Sequence, residues 1–194
     1  MRQEVGHVRS EGEYFQQLDA ELVEKMRRRA DREEHQRRMA EACQIKDPSI
    51  LDSLERLGYS PTTVSLLCVV PLVQVAWADG WVTHAERHHV LAIARLHGVE
   101  ENTVASHQLE AWLEWPPSEE FFQGSWRAIR AALDSLPQDE RKTRQDALIG
   151  DCKDVASATW HLGKIGAAER KVLEEIQEQL EPHQHLAASA GVQR

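Results

Sequence analysis

The sequence has few residues that interrupt helices. Proline occurs 7 times and glycine 10 times in 194 residues, and Ala, Leu, Glu, Gln and Arg fill the long segments. Proline removes a backbone donor and glycine costs conformational entropy in a helix, whereas those five residue types favour one. We therefore expect an all-α protein with a single core and an appendage, because a chain of this length supports one domain.

Cysteine is also scarce. Cys43, Cys68 and Cys152 are an odd set at wide spacing without a C-x-x-C motif. This pattern fits neither a disulfide framework nor a zinc cluster, and a reducing compartment is its simplest setting. The opening residues MRQEVGHVRSEGEYFQQ include no apolar segment of the signal-peptide type. Both observations predict a cytoplasmic location.

Long apolar runs and an excess of positive charge are missing. The most apolar stretch, residues 64–78, is too short for a bilayer and is interrupted by Pro71 and Gln74. We expect a buried core helix over residues 61–78 and no membrane insertion. The net charge is −9, the pI is near 5.6, and basic residues are mixed with acidic ones. This argues against nucleic-acid binding and favours cations or basic partners.

The first part of the chain is highly charged. Residues 11–46 have one helical pattern that ends before Asp47-Pro48, with a thin apolar stripe. The stripe recurs at intervals of three and four residues: Phe15, Leu18, Leu22 and Met26. Either the helix packs this stripe on its own core, or it is an arm for a protein partner or a second copy. We divide the chain into an arm (1–46), a helical domain (47–182) and a flexible tail (183–194).

Start and stop signals predict seven helices in the domain. Proline or Ser/Thr marks helix starts, and glycine or proline marks their ends. The predicted helices begin at Pro48, Pro61, Thr83 or His84, Glu101, Ser118, Pro137 and Ala167, and the last ends at Leu180.

Two segments of the domain resemble each other. VAWADGWVTHAERHHVLAIA begins at Val75 and VASATWHLGKIGAAERKVLEEI begins at Val155, and both run from an apolar helix through a loop to Ala-Glu-Arg. Residues three, four, seven and eleven positions after Glu86 and Glu169 form the core-facing stripe of each second helix: His89, Val90, Ile93 and His97 in the first, and Val172, Leu173, Ile176 and Leu180 in the second. Helical geometry therefore turns both Glu residues, with His89 and His97, toward the core. A buried carboxylate needs a partner.

Glu86 has two candidate partners, the backbone at the start of its own helix and a divalent cation. Thr83-His84-Ala85-Glu86 has the spacing of a capping box, in which each of Thr83 and Glu86 bonds the other's backbone amide. Gly166 to Glu169 repeats that spacing. Alternatively, Asp79 and Glu86 supply hard oxygen ligands to a divalent cation. The loop is not an EF-hand, because Val75 and Trp77 stand where further ligands would be. Backbone carbonyls, waters, or acids from elsewhere such as Asp151 or Asp154 would have to complete the site.

Histidine offers a third, weaker reading. His84 and His88 are four residues apart, so one helix face could present both to an ion beside Asp79, as in a metal-dependent hydrolase. They share that face with Arg95, which would repel a cation, so a solvated surface is the simpler interpretation. The six tryptophans are most simply packing residues, although Trp81 and Trp160 lie in corresponding loops and could make exposed contacts.

The segment PLVQVAWADGWVTHAERHHVLAIARLHGV (71–99) and the segment DVASATWHLGKIGAAERKVLEEI (154–176) resemble the TerB-like family. This family comprises tellurite-resistance and stress-associated helical domains, some fused to J-type co-chaperones. The resemblance spans roughly residues 48–181. It implies a bundle of about seven helices in two related halves, with no defined enzymatic activity.

The resemblance also implies a site for a divalent cation such as calcium, magnesium, manganese or zinc. Its ligands would be Asp79, Glu86 and Glu169. In the second half, Thr159-Trp160 stands where the family pattern has Asp-Gly, so one acid is missing. Asp154, on the outer flank of its helix, would have to replace that acid. We expect a non-enzymatic, stress-linked scaffold or metal-responsive adaptor, or alternatively a metal-free interaction or dimerisation module.

Overall fold

The structure is a computed structural model that describes residues 4–158 and 165–181, and side chains from Tyr14 onward. Over these ranges it contains eight α-helices and no strand, so the all-α prediction is confirmed. The helices are α1 (Glu4–Cys43), α2 (Pro48–Arg56), α3 (Val70–Ala76), α4 (His84–Leu96), α5 (Val104–Glu114), α6 (Glu119–Asp134), α7 (Gln138–Ser157) and α8 (Ala167–Leu180). The predicted tail, Thr159 and Trp160 lie outside the described residues.

Helix boundaries follow the capping signals of the sequence. Asp47 caps α2 by accepting a hydrogen bond from the Ser49 amide at 2.9 Å. Ser118 caps α6 by accepting from the Phe121 amide at 3.2 Å. Gly58 ends the turn after α2 with a φ of 89°, in the left-handed region that favours glycine. These local contacts explain why the start and stop signals located the helices.

The prediction of one continuous helix over residues 61–78 is wrong. A 3₁₀ segment (Val64–Val69) precedes the short helix α3. Pro71 has no amide proton, so the α-helical bond from residue 71 to residue 67 cannot form; Pro71 instead occupies the first turn of α3, where no such donor is needed. The predicted burial is confirmed, because Leu72 and Val73 are fully enclosed.

Helix α3 lies at the centre of the domain. It packs against α4, α5, α6, α7 and α8, while α2 packs on α6. Helix α7 contacts both α4 and α8. Helices α3, α4, α7 and α8 therefore form one packed group, which brings together helices from the two similar sequence segments.

Helix α1 has two parts with different surroundings. Its last part packs against the 3₁₀ segment and α2, and Met39 and the following Ile45 are buried in the core at 0% and 2% exposure. From Tyr14 to Glu33, every side chain is exposed. The packed part of the chain therefore begins within α1, before the predicted domain boundary at residue 47.

The tryptophans divide between core and surface. Trp126 is buried, and the indole of half-buried Trp77 donates to the Trp112 carbonyl at 2.8 Å. Trp81 and Trp115 are 66% and 73% exposed. Trp115 therefore does not pack as expected, because it follows the last residue of α5 in extended backbone, whereas Trp81 has the exposure that its loop position suggested.

Candidate functional site

The loop between α3 and α4 is a tight turn. Gly80 has a φ of 94°, and the Asp79 carboxylate accepts a long 3.3 Å hydrogen bond from the Trp81 amide. Asp79 is exposed at this turn. The Asp-Gly pair therefore has a local structural role, because aspartate stabilises turns through such bonds and glycine adopts positive φ.

Thr83 and Glu86 form the predicted capping box. The Glu86 Oε2 atom accepts from the Thr83 amide and from the Thr83 hydroxyl, both at 2.8 Å, and Thr83 Oγ1 accepts from the Glu86 amide at 3.2 Å. Glu86 is 1% exposed. The box satisfies two amides at the start of α4 and gives a buried carboxylate its partners.

Glu169 occupies the equivalent position in α8. It is the third residue after the N-cap Gly166 and is 5% exposed, so the prediction that both Glu residues face the core is confirmed. A Cβ atom on Gly166 would overlap the Glu169 carboxylate. Glu169 thus folds back over the start of its helix, as Glu86 does, and the absence of a side chain at Gly166 makes room for it.

Glu86 lies in a negative electrostatic environment. Burial is the main cause that raises the pKa of Glu86; hydrogen bonds from Thr83 lower it, and the charges of Asp79 and Glu169 raise it further. The carboxylates of Asp79 and Glu169 are therefore near enough to act on Glu86, and the three are here called the junction acids. This proximity is produced by packing between the two halves of the domain, because α7 and α8 both pack against α3, and α7 also packs against α4.

The three junction acids are not gathered around one point in the structure. In the described ranges, no three His, Cys, Asp or Glu side chains are placed to hold one ion. Glu86 Oε2 is engaged by Thr83. Asp154 is exposed on α7, as its outer-flank position suggested. The structure therefore places Asp79 and Glu169 near enough to Glu86 for their charges to raise its pKa. It places Asp154 on the surface.

The histidines of α4 lie on its exposed side. His84 and His88 are exposed, which agrees with a solvated face. The expected core positions of His89 and His97 are wrong, since both are exposed. His89 Nδ1 contacts the Ala85 carbonyl at 3.0 Å. His97 caps the C-terminus of α4, where its ring contacts Asp151 of α7.

The His97 ring lies at a cavity that sequence reasoning missed. His97 Nε2 is 2.9 Å from Asp151 Oδ2, and both residues line a mainly apolar cavity of about 540 Å³. Residues 42–44, the 3₁₀ segment, α6 and α7 form its other walls. Its polar and thiol-bearing residues come from positions 43, 44, 65, 68, 97, 144 and 151, and no short motif joins them.

The thiols of the two cysteines that line this cavity donate hydrogen bonds and have raised pKa values. Cys68 Sγ donates to the Ser65 carbonyl and Cys43 Sγ to the Met39 carbonyl, each at 3.0 Å. Burial raises the pKa of Cys68 to about 11, with a smaller contribution from the negative charge of Asp151, and burial also raises the pKa of Cys43. A thiol must ionise to act as a nucleophile, so neither sulfur is activated.

The exposed part of α1 carries an apolar surface. Its large apolar side chains are 48% to 66% exposed and are called the arm stripe: Tyr14, Phe15, Leu18, Leu22, Val23 and Met26. The expected alternative, that this stripe packs on the protein's own core, is therefore wrong. Ion pairs of Arg28 with Glu24 and Arg29 with Glu33, each at 2.8 Å, join successive turns of the same helix. These pairs support helical structure in the exposed segment.

Comparison with protein-family models, with curated proteins and with solved structures gave no match for this chain. The TerB-like resemblance therefore stays a prediction. No helix within residues 4–158 and 165–181 combines the length and the apolar character that crossing a bilayer requires.

Proposed function

We propose that this protein is a non-enzymatic helical adaptor: a TerB-like domain that presents the arm stripe to a helix of a protein partner. The observation that carries the proposal is the exposure of six large apolar side chains on one part of α1. Contiguous apolar surface of this kind commonly marks a protein interaction site.

The dimensions of the arm suit a helical partner. Residues 14–33 form five to six turns, about 30 Å of helix at 1.5 Å per residue. The narrow core of the stripe, with Phe15, Leu18, Leu22 and Met26 three or four residues apart, has the spacing by which one helix packs along another. Burying one such side chain is worth about 1.5–3 kcal/mol, so several together would support specific association.

The features of the domain agree with a structural role. Glu86 caps α4, and the thiols of Cys43 and Cys68 donate to backbone carbonyls, so these three side chains have local structural contacts. The absence from the sequence of G-x-x-x-x-G-K-[ST], G-x-G-x-x-G and G-x-S-x-G elements supports the same proposal.

A photo-crosslinking experiment tests the proposed arm interaction in cells. A photoreactive amino acid at Leu22 of the full chain should give covalent adducts, whose protein component mass spectrometry identifies. The matched control places the same group at Asp31, on the opposite face of α1. Adducts should be lost when Leu18→Ser and Met26→Ser, the substitutions on either side of Leu22, are introduced together. The melting temperature should stay unchanged, because both side chains are exposed. Equal labelling from both positions, or none from Leu22, would contradict the proposal.

Cation binding at the junction acids is a second candidate function. It is supported by the two carboxylates near buried Glu86, since the charges of Asp79 and Glu169 both raise its pKa and a divalent cation would offset them. Because the present arrangement does not form a ligand set, binding would require the carboxylates to move together.

Melting of metal-stripped protein tests this candidate. Calcium, magnesium, manganese and zinc are added separately, and binding to the folded state should raise the melting temperature in proportion to the logarithm of ion concentration. We expect Asp79→Ala to abolish the shift and His84→Ala to preserve it, since imidazole is not part of an oxygen site. No shift with any of the four ions would exclude this function, and a shift lost only in His84→Ala would favour the histidine site instead.

A further inference from the structure

The charges beside the arm stripe are segregated along α1. From Tyr14 to Glu24 the chain has three acidic residues, Asp19, Glu21 and Glu24, and no basic one. From Lys25 to Arg32 it has five basic residues and one acidic residue. All these side chains are exposed. One half of the arm is therefore negative and the other half positive, so the arm is complementary to itself when it runs in the opposite direction.

From this pattern we propose that the arm stripe binds the arm stripe of a second copy, with the two helices antiparallel. The inference rests on the proposed function, because it names the partner of the same surface. In a two-fold dimer both copies use the same patch, so the patch must complement itself. The segregated charges of the arm meet that requirement.

The helical positions suggest the register. At 100° per residue, Phe15, Leu18, Leu22 and Met26 lie within a sector of about 80° centred on Leu22. Glu21 and Lys25 both flank that sector on the same side. With a two-fold axis near Val23, a residue that precedes Val23 by a given number of positions lies opposite the residue of the second copy that follows Val23 by the same number. Glu21 then lies opposite the second copy's Lys25, and Tyr14 lies opposite its Arg32.

A parallel dimer fits these observations less well. It would place the basic segment from Lys25 to Arg32 beside the same segment of the other copy, where like charges repel. It would also bring both globular domains to the same end of the helix pair, since each domain begins near Met39. The antiparallel arrangement separates the two domains and aligns the helix dipoles favourably.

The association of purified full-length protein tests the inference. Sedimentation at tens of micromolar should give twice the monomer mass of 22.1 kDa. Glu21→Lys and Lys25→Glu should each weaken self-association by roughly tenfold, because each creates two repulsive pairs across the axis. An equimolar mixture of these two variants should restore a dimer of one copy of each, because both pairs are then attractive. The matched control, Asp31→Lys, makes the same charge change on the opposite face and should leave the dimer intact.

Each other outcome has a defined meaning. If the two variants weaken association but the mixture does not restore it, the antiparallel register is wrong. If the wild-type protein is monomeric while Leu22 crosslinks to a different protein in cells, self-association is wrong and the proposed function stands. If the protein is monomeric and Leu22 gives no adduct, both proposals are wrong. Circular dichroism of each variant shows that the fold is retained, as expected for exposed positions.

Discussion

Deletion of residues 1–46 is expected to destabilise the domain strongly, whereas deletion of residues 1–33 is expected to leave it folded. The longer deletion removes Met39 and Ile45, which are 0% and 2% exposed. Loss of one such core side chain costs about 2–5 kcal/mol, and a typical domain has only about 5–15 kcal/mol of stability. The longer deletion also exposes the 3₁₀ segment and removes one wall of the cavity.

Thermal unfolding followed by circular dichroism compares the two truncated proteins with the full chain. The chain from residue 34 keeps the hydrogen bond of 2.6 Å from Gln36 to Asp52, which joins α1 to α2. Its melting temperature should fall by only a few degrees. Met39→Ala in the full chain provides an internal check, since it should reproduce part of the loss without any truncation. Equal melting temperatures for the two truncated proteins would show that the end of α1 is not needed by the core.

The helices were predictable from sequence because their ends are determined locally. A cap such as Asp47 or Ser118 interacts with an amide two or three residues away, and a glycine such as Gly58 adopts a positive φ without help from distant residues. The 3₁₀ segment is different. It depends on Pro71 and on packing from several helices, and an apolar run alone does not distinguish it from an α-helix.

The surroundings of the candidate residues were only partly predictable. Glu86 and Glu169 could be placed on core-facing stripes because helical periodicity fixes direction. Their mutual repulsion, and the meeting of His97 with Asp151, depend on how α4 and α8 pack on α7. The exposure of His97 does not follow the helical periodicity, because His97 caps α4 and lies beyond its last residue, Leu96. Sequence spacing describes one helix, not the contacts between helices.

Replacing Glu86 with glutamine is expected to raise the melting temperature at neutral and alkaline pH. Burial, Asp79 and Glu169 raise the folded-state pKa of Glu86 above its ordinary value near 4.5. Between the unfolded-state pKa and the raised folded-state pKa, the folded state binds more protons than the unfolded state. The free energy of unfolding of the wild-type protein therefore falls as pH rises through this window. Each unit of pKa difference corresponds to about 1.4 kcal/mol. Glutamine carries no charge and can still accept from the Thr83 amide, because a capping box accepts Glu or Gln.

The pH dependence distinguishes this charge effect from the capping effect. The advantage of Glu86→Gln should be absent below pH 4.5, increase through the window above it, and then stay constant. Thr83→Ala removes the cap but not the charge, so it should cost about 1 kcal/mol with little change between pH 6 and pH 8. In an Asp79→Asn background the gain from Glu86→Gln should be smaller, because one source of repulsion is already gone. A lower melting temperature for Glu86→Gln at pH 8 would show that the ionised carboxylate stabilises α4 more than its neighbours destabilise it.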